Sequence, residues 1–295
     1  LNKVVLPQNA QILDYGCAKS ATFKKLVQIR SDLTPHLFDV SEMYLPFWEK
    51  FVQADNWATY TVKPEWDEYF DLATSFFALE HVAKPEEMLM TIEQLLKPGG
   101  VFYGTVPNTC TNIADFVVID HVNHFSKSSL EFLLKNTGFE SIDIDTESHN
   151  GAFVITAKKK SIHNSPLLEK LSSQDSIIDL EQQATSIAEY WYNITAKVRS
   201  FEAEHSNSES VAIYGSGFYG TFIATCLENL DRVECFIDLS PYRQGKYLLE
   251  KPIVSPQNLK KSTEIVYVGL NPQNSSHTIA EIDDWRGYRH KYFYL

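Results

Sequence analysis

Asp120-His121-Val122-Asn123-His124-Phe125-Ser126 sets two imidazoles three positions apart, between a strand signal and a helix signal. Imidazole titrates near neutral pH and can take a proton from a reacting carbon or hydroxyl. Either His121 or His124 could act as such a base. The same H-x-x-H spacing could hold a divalent ion, but no third ligand is evident in the sequence, so no metal is expected. A loop with one buried, hydrogen-bonded histidine and one exposed histidine is the competing reading. Ser126 suits the N-cap of the helix that follows.

A second kind of chemistry is written nearer the start. Gln11-Ile12-Leu13-Asp14-Tyr15 reads as a buried strand and runs into the turn Gly16-Cys17-Ala18-Lys19-Ser20. Gly16 lets the backbone turn sharply and approach a ligand closely. Leu37-Phe38-Asp39 ends a second strand on an acid, 25 residues after Asp14. Open α/β sheets bind ligands at the carboxyl ends of their strands, near the switch point. Asp39 is placed there to accept hydrogen bonds from ribose hydroxyls, and Asp14 to orient the turn or one end of the ligand. A turn that is merely structural is the alternative.

A third candidate site lies late in the chain. Val211-Ala212-Ile213-Tyr214 is a strand signal, followed by Gly215-Ser216-Gly217-Phe218-Tyr219-Gly220 and a helix through Leu230, then by Asp238, 18 residues after Gly220. That is a dinucleotide-type fingerprint in its proper context. Gly215, Gly217 and Gly220 at a helix N-terminus could hold a phosphate, and Asp238 a ribose. Three readings compete: a site for a substrate nucleotide, a glycine turn without ligand, and NAD-dependent redox chemistry.

The elements that must position these residues fall into three zones. Residues 1–158 alternate strand and helix signals, which argues for a doubly wound parallel sheet. Its strands are expected to end near Asp14, Asp39, residues 60–62, Thr74 and Thr105, with two more around residues 141–145 and 153–158. Residues 159–208 form a helical connector, because Leu167, Leu168, Leu171, Ile177, Ile178, Leu180, Ile187, Ala188, Trp191 and Ile194 recur at helical spacing. Residues 209–295 restart the α/β pattern with three clear strands, about half of a full dinucleotide fold. The expected fold class is α/β: a doubly wound Rossmann-like domain, the connector, and a smaller Rossmann-like domain.

Bulk composition narrows the function. The formal net charge of −12 over 295 residues repels phosphate backbones, so no nucleic-acid partner is expected. Lys158-Lys159-Lys160 reads as a solvated strand end. Cys17, Cys110, Cys226 and Cys235 lack C-x-x-C spacing, and Cys17 and Cys226 read as buried thiols. No signal peptide or membrane-spanning run is evident, so a cytoplasmic setting away from membranes is expected.

Ile12-Leu13-Asp14-Tyr15-Gly16-Cys17, Asp39, Phe70-Asp71-Leu72, Leu79-Glu80-His81-Val82 and Leu96-Lys97-Pro98-Gly99-Gly100 come in order at βα spacing. This set resembles the class I S-adenosylmethionine-dependent methyltransferases. The resemblance covers about the first 158 residues and implies S-adenosylmethionine as cofactor. It implies that the first loop (Asp14, Gly16, Ala18) contacts the methionine part and that Asp39 holds the ribose. The segment after the fourth strand (Phe76, Phe77, Glu80, His81) would line the methyl pocket. Ala18 and Ser20 stand where that family's loop usually has glycine.

Residues 120–126 further resemble the Glu-His-x-x-Tyr-Phe-Ser stretch of bacterial sugar C-methyltransferases, and Ser148-His149-Asn150-Gly151-Ala152-Phe153 resembles their His-Gly-Gly-Ser-Leu-Arg turn. Residues 211–220 and Phe236-Ile237-Asp238-Leu239-Ser240-Pro241-Tyr242-Arg243-Gln244-Gly245 parallel their carboxyl-terminal domain. The family's amino-terminal zinc domain has no counterpart in these residues, and Leu1 need not be the native start. The resemblance implies methylation of a small polar metabolite, a sugar or nucleotide-linked sugar, at carbon or oxygen. His121 would be the base, with His124 or His149 assisting, and Asn150 would contact the substrate. The alternatives are an NAD-dependent oxidoreductase or a non-catalytic nucleotide-binding module built on the Gly215 loop.

Overall fold

The computed structural model describes residues 4–161 and 174–295, and the chain divides into two compact units, Leu1–Ile178 and Asp179–Leu295. In the first unit the strands are β1 (Gln11–Tyr15), β2 (Thr34–Asp39), β3 (Trp57–Thr59), β4 (Phe70–Phe76), β5 (Leu96–Pro107), β6 (Phe139–Asp145) and β7 (Ala152–Lys159). They form one sheet in the order β3-β2-β1-β4-β5-β7-β6. Pairing is parallel from β3 through β5, whereas β7 runs antiparallel to β5, and β6 to β7.

Alternate residues of the central strands enter separate cores, so both faces of the sheet are covered. Leu13, Phe38, Ala73 and Phe102 pack on one face with Leu89 and Ile92 of α3 (Pro85–Leu95) and Leu130 and Leu134 of α4 (Lys127–Asn136). Ile12, Leu37 and Leu72 pack on the other with Phe23 of α1 (Ala21–Ile29) and Trp48 of the short α2 (Leu45–Trp48). Continuous apolar strands follow from double coverage. Strand order reverses direction between β1 and β4, which puts the switch point of the sheet at their carboxyl ends. Ser126 caps α4 in a reciprocal capping box with Ser129, and Gly138 leaves α4 at φ +93°.

The connector is one helix among the described residues, α5 (Gln174–Glu204), and the unit boundary falls inside it. Leu167, Leu168 and Leu171 lie outside the described residues, as does the side chain of Ile177. The second unit holds α6 (Phe218–Cys226), α7 (Ser275–Ala280) and six strands, three more than the sequence reading found. These are β8 (Val211–Tyr214), β9 (Val233–Ile237), β10 (Tyr247–Leu248), β11 (Lys251–Val254), β12 (Ile265–Val268) and β13 (Lys291–Tyr294), in the order β10-β11-β9-β8-β12-β13. Every pairing is parallel except β10 with β11. Ile213 and Phe236 face Ile223 of α6 on one side, while Tyr214 and Ile237 pack with Ile279 of α7 on the other.

The third strand ends at Thr59, beside the expected residues 60–62, because Tyr60 turns into left-handed backbone at φ +64°. Two local expectations are corrected. The helix after the Gly215 turn stops at Cys226, not near Leu230, where a separate 3-10 turn follows. Lys159 is no solvated strand end: it is only 4% exposed, and its Nζ lies 3.2 Å from Glu68. Among the described residues no helix is long and apolar enough to cross a membrane.

Candidate active site

The first glycine turn hangs from the ends of β1 and β2. Gly16 and Cys17 both donate their N–H to the carbonyl of Phe38, at 2.8 and 3.1 Å. Gly16 takes φ +72°, and a Cβ there would stand 2.8 Å from Cβ of Ala78, so glycine is required twice over. Asp39 accepts the N–H of Ala18 at 2.8 Å through Oδ2. Asp14 is buried and accepts the hydroxyls of Ser20 at 2.6 Å and Thr74 at 3.0 Å. Burial pushes its carboxyl up to about 6. Ala18 and Ser20, where the resembled family has glycine, keep the left-handed backbone that glycine favours, at φ +44° and +46°. The sequence reading missed the lock on this turn: the buried Trp48 indole donates to the Ala18 carbonyl at 2.7 Å.

The segment after β4 faces the same edge of the sheet. Phe77 is exposed at φ +52°, held by its N–H on the Thr105 carbonyl. Such strain in a bulky residue persists only where its surroundings impose it. Glu80 is 1% exposed, and neither carboxylate oxygen has a hydrogen-bond partner among the described residues. Burial pushes its carboxyl up. The Glu80 carbonyl accepts the N–H groups of Val122 and Asn123, at 2.9 and 3.1 Å. This pins the histidine stretch to the turn after β4.

The two histidines of that stretch share one carboxylate, which sequence reasoning also missed. Asp115, 1% exposed, contacts His121 Nδ1 at 2.6 Å through Oδ1 and His124 Nδ1 at 2.9 Å through Oδ2. Thr109 donates its hydroxyl to the same Oδ2. With Nδ1 donating to Asp115, each ring has Nε2 as its lone-pair nitrogen, the arrangement of an oriented base. His81 joins the group, its ring 4.7 Å from that of His121 and its Nδ1 3.0 Å from the Asp120 carbonyl. Asp115 sits in a 3-10 turn (Ile113–Val117) with no periodic signal, and only its six-residue spacing from His121 could have flagged it.

The structure brings Glu80, His81, His121 and His124 together. His149 is exposed, with its ring 5.7 Å from that of Phe77. Asn150 is exposed beside it, in the turn where Gly151 takes φ +80° and its carbonyl accepts from Asn108. Gly215, Gly217, Gly220 and Asp238 belong to the second unit. There the three glycines divide their roles. A Cβ on Gly220 would lie 1.8 Å from the Gly215 carbonyl oxygen, and one on Gly215 would lie 2.3 Å from that of Gly269. At Gly217 the nearest atom would be an Arg243 nitrogen at 3.6 Å. Asp238 accepts from the Ser216 N–H and hydroxyl on Oδ2 and from the Ser240 N–H on Oδ1, so the loop itself engages both oxygens.

Comparison with known proteins now assigns the first unit. Residues 1–144 match a family model described as "Methyltransferase domain". No curated protein matches the chain. Among solved structures, a SAM dependent methyltransferase from Archaeoglobus fulgidus is 18% identical, with 51% of this chain and 86% of that one covered at a TM-score of 0.43. An S-adenosylmethionine dependent methyltransferase from Mesorhizobium loti is 18% identical (52% and 94% covered, TM-score 0.41), and the CurJ carbon methyltransferase 17% (54% and 51%, TM-score 0.44). Residues 1–144, just under half of the chain, thus match a methyltransferase domain, and S-adenosylmethionine is the cofactor such a domain takes. The residues present fit that ligand. Three buried carboxylates, Asp14, Asp39 and Glu80, line the carboxyl edge of the sheet, and the cofactor carries cationic sulfonium and ammonium groups. Ser75 Oγ and Thr105 Oγ1, near the ends of β4 and β5, are buried without partners.

Proposed function

We propose that the protein methylates a small polar metabolite, a sugar or nucleotide-linked sugar, at a carbon or hydroxyl that His121 deprotonates. The observation that carries this reading is the hold of Asp115 on both histidines. A buried carboxylate on Nδ1 fixes the ring and stabilises the imidazolium that forms when Nε2 takes a proton. His124 shares the carboxylate and supports the same charge, while exposed His149 and Asn150 provide polar contacts at the rim. The bound cofactor supplies an electrophilic methyl group. In this reading Asp39 Oδ1 takes a ribose hydroxyl, Gly16 and Ala18 face the methionine part, and residues 76–81 close around it.

The second unit is read as a smaller Rossmann-like domain. Gly217, the one glycine of its turn that packing does not explain, leaves room for a substrate phosphate at the start of α6. The free thiols and the chain's acidic balance suit a cytoplasmic enzyme of small molecules.

The test pairs turnover on a panel of nucleotide sugars with calorimetric binding of S-adenosylhomocysteine. His121→Ala is expected to lower kcat by about 100-fold or more and to leave S-adenosylhomocysteine binding near wild type. Equal loss of both would make His121 a structural residue, and absence of turnover on every sugar would remove the substrate class.

A further inference from the structure

The H-x-x-H pair has no further ligand beside it in sequence, but the fold brings two ligand types from another segment to its first histidine. Glu80 and His81, in the 3-10 turn after β4, meet His121, and one ligand atom from each lies within 4.8 Å of the others. Both rings have Nδ1 engaged by an oxygen outside this cluster. For His121 it is Asp115 Oδ1 at 2.6 Å, and for His81 the Asp120 carbonyl at 3.0 Å, with the Asp120 carboxylate at 3.4 Å. Metal-ligating histidines are oriented in this way, with the far nitrogen donating to a carboxylate or carbonyl and the near one offering its lone pair. Glu80 makes the independent case. Both of its oxygens are buried without a partner, a costly arrangement that a cation between the carboxylate and the two imidazoles would relieve. The Glu80 carbonyl, bonded to the Val122 and Asn123 N–H groups, already ties the two segments together.

We propose that Glu80, His81 and His121 form a site for a divalent transition-metal ion of the zinc type. Two imidazoles and one carboxylate suit zinc and its first-row neighbours, whereas magnesium and calcium favour all-oxygen shells. Three protein ligands leave a coordination position for water or for an oxygen of the acceptor. Ligand atoms around zinc stand about 3.4 Å apart, closer than the 4.8 Å here, and exposed His81 is the member free to close the gap.

One consequence rests on the base assignment made above. His121 Nε2 can accept a proton or bind an ion, but not both at once. Zinc is therefore expected to inhibit methyl transfer.

The experiment strips the 295-residue protein with a chelator, then titrates it with Co2+ by visible absorption and with Zn2+ by calorimetry. The expected result is one Co2+ per chain with the intense visible bands of low coordination, displaced by Zn2+. His81→Ala and Glu80→Gln should each weaken affinity at least about tenfold. His277→Ala is the control for adventitious binding, because His277 is an exposed residue of the other unit, 3.6 Å from Glu281, and it should change nothing. Exposed His81 can be truncated without disturbing the core, so His81→Ala carries the test even where Glu80→Gln alters the fold. Wild-type affinity in His81→Ala, or no Co2+ spectrum in the wild type, overturns the site. Zinc binding without zinc inhibition would uphold the site and remove His121 as the base.

Discussion

The two glycine turns of this chain look alike in sequence and are built on opposite principles. The second is a packing device. Gly215, Gly220 and Gly269 are pressed together so closely that the first helix after β8 and the end of β12 can approach only without side chains. Asp238 closes that turn on itself by taking Ser216 and Ser240. The first turn has one obligatory glycine, Gly16, and holds two non-glycine residues in left-handed backbone. Its shape is imposed from outside, by Asp39 on the Ala18 N–H, Trp48 on the Ala18 carbonyl and Asp14 on Ser20. A glycine pattern therefore marks tight packing at least as readily as it marks a ligand. A turn held open against its own preference, beside buried acids, is the better sign of a binding site.

The largest expected effect breaks the second turn. Gly220→Ala puts a methyl group 1.8 Å from the Gly215 carbonyl oxygen and 2.9 Å from its carbon, backbone that cannot swing aside. A loss of more than about 4 kcal/mol is expected, enough to unfold the second unit in a thermal melt. Gly217→Ala, where the nearest atom is the end of the Arg243 side chain, should cost less than about 1 kcal/mol. Comparable losses at the two positions would end the distinction between packing and ligand glycines.

How far the sequence already carried these features follows from the same physics. Strands buried on both faces are long apolar runs, so β1, β2, β4 and β5 were legible, and with them the placement of Gly16 and Asp39. The strands that escaped notice in the second unit are β10, only two residues long, β11, which carries Pro252, and the edge strand β13. Short or edge strands bury little and leave no alternating signal. Trp48 and Asp115 were invisible for a different reason. Each lies in a short turn without periodicity, and Trp48 acts on Ala18 across 30 positions. Lys159 was misread because Glu68, its partner, stands 91 positions away.

A pH experiment sharpens the comparison through the acids of the two turns. Burial raises the Asp14 carboxyl to about 6 from an ordinary 3.8, so the folded state binds its proton more tightly than the unfolded chain. The stability contributed by that proton is fully present below about pH 4 and lost as pH rises through about 6, amounting to about 3 kcal/mol at pH 7. Asp14→Asn carries no charge at any pH, so its urea midpoint should gain on wild type between pH 4 and 6. Asp238 has the opposite sign. Burial works to raise its carboxyl, but hydrogen bonds from Ser216 and Ser240 outweigh it and leave the group below its usual range. Its contribution is present at neutral pH and fades only as acid protonates it. Parallel wild-type and Asp14→Asn profiles would sink this account of the first turn.

Next in size is Asp39→Ala, which removes the acceptor of the Ala18 N–H and the group proposed to hold the ribose. A charged acceptor is worth roughly 2 kcal/mol, or about thirtyfold in S-adenosylhomocysteine affinity. Asp238→Ala should leave that affinity unchanged, and a matching loss there would mean that the two turns do not act independently.

The smallest effect is the most discriminating. Ala18→Gly relieves the cost of holding alanine at φ +44°, about 1 kcal/mol, but frees the unfolded chain by a similar amount. Net stability should therefore move by less than about 0.5 kcal/mol. The groups that shape the turn use only the Ala18 backbone, its N–H to Asp39 and its carbonyl to Trp48, and glycine keeps both. S-adenosylhomocysteine affinity should stay within about threefold of wild type, less than 1 kcal/mol. A tenfold gain would show instead that alanine distorts the turn and that the pocket is shaped by its strained residues. In that case the first turn, like the second, would owe its form to the residues within it.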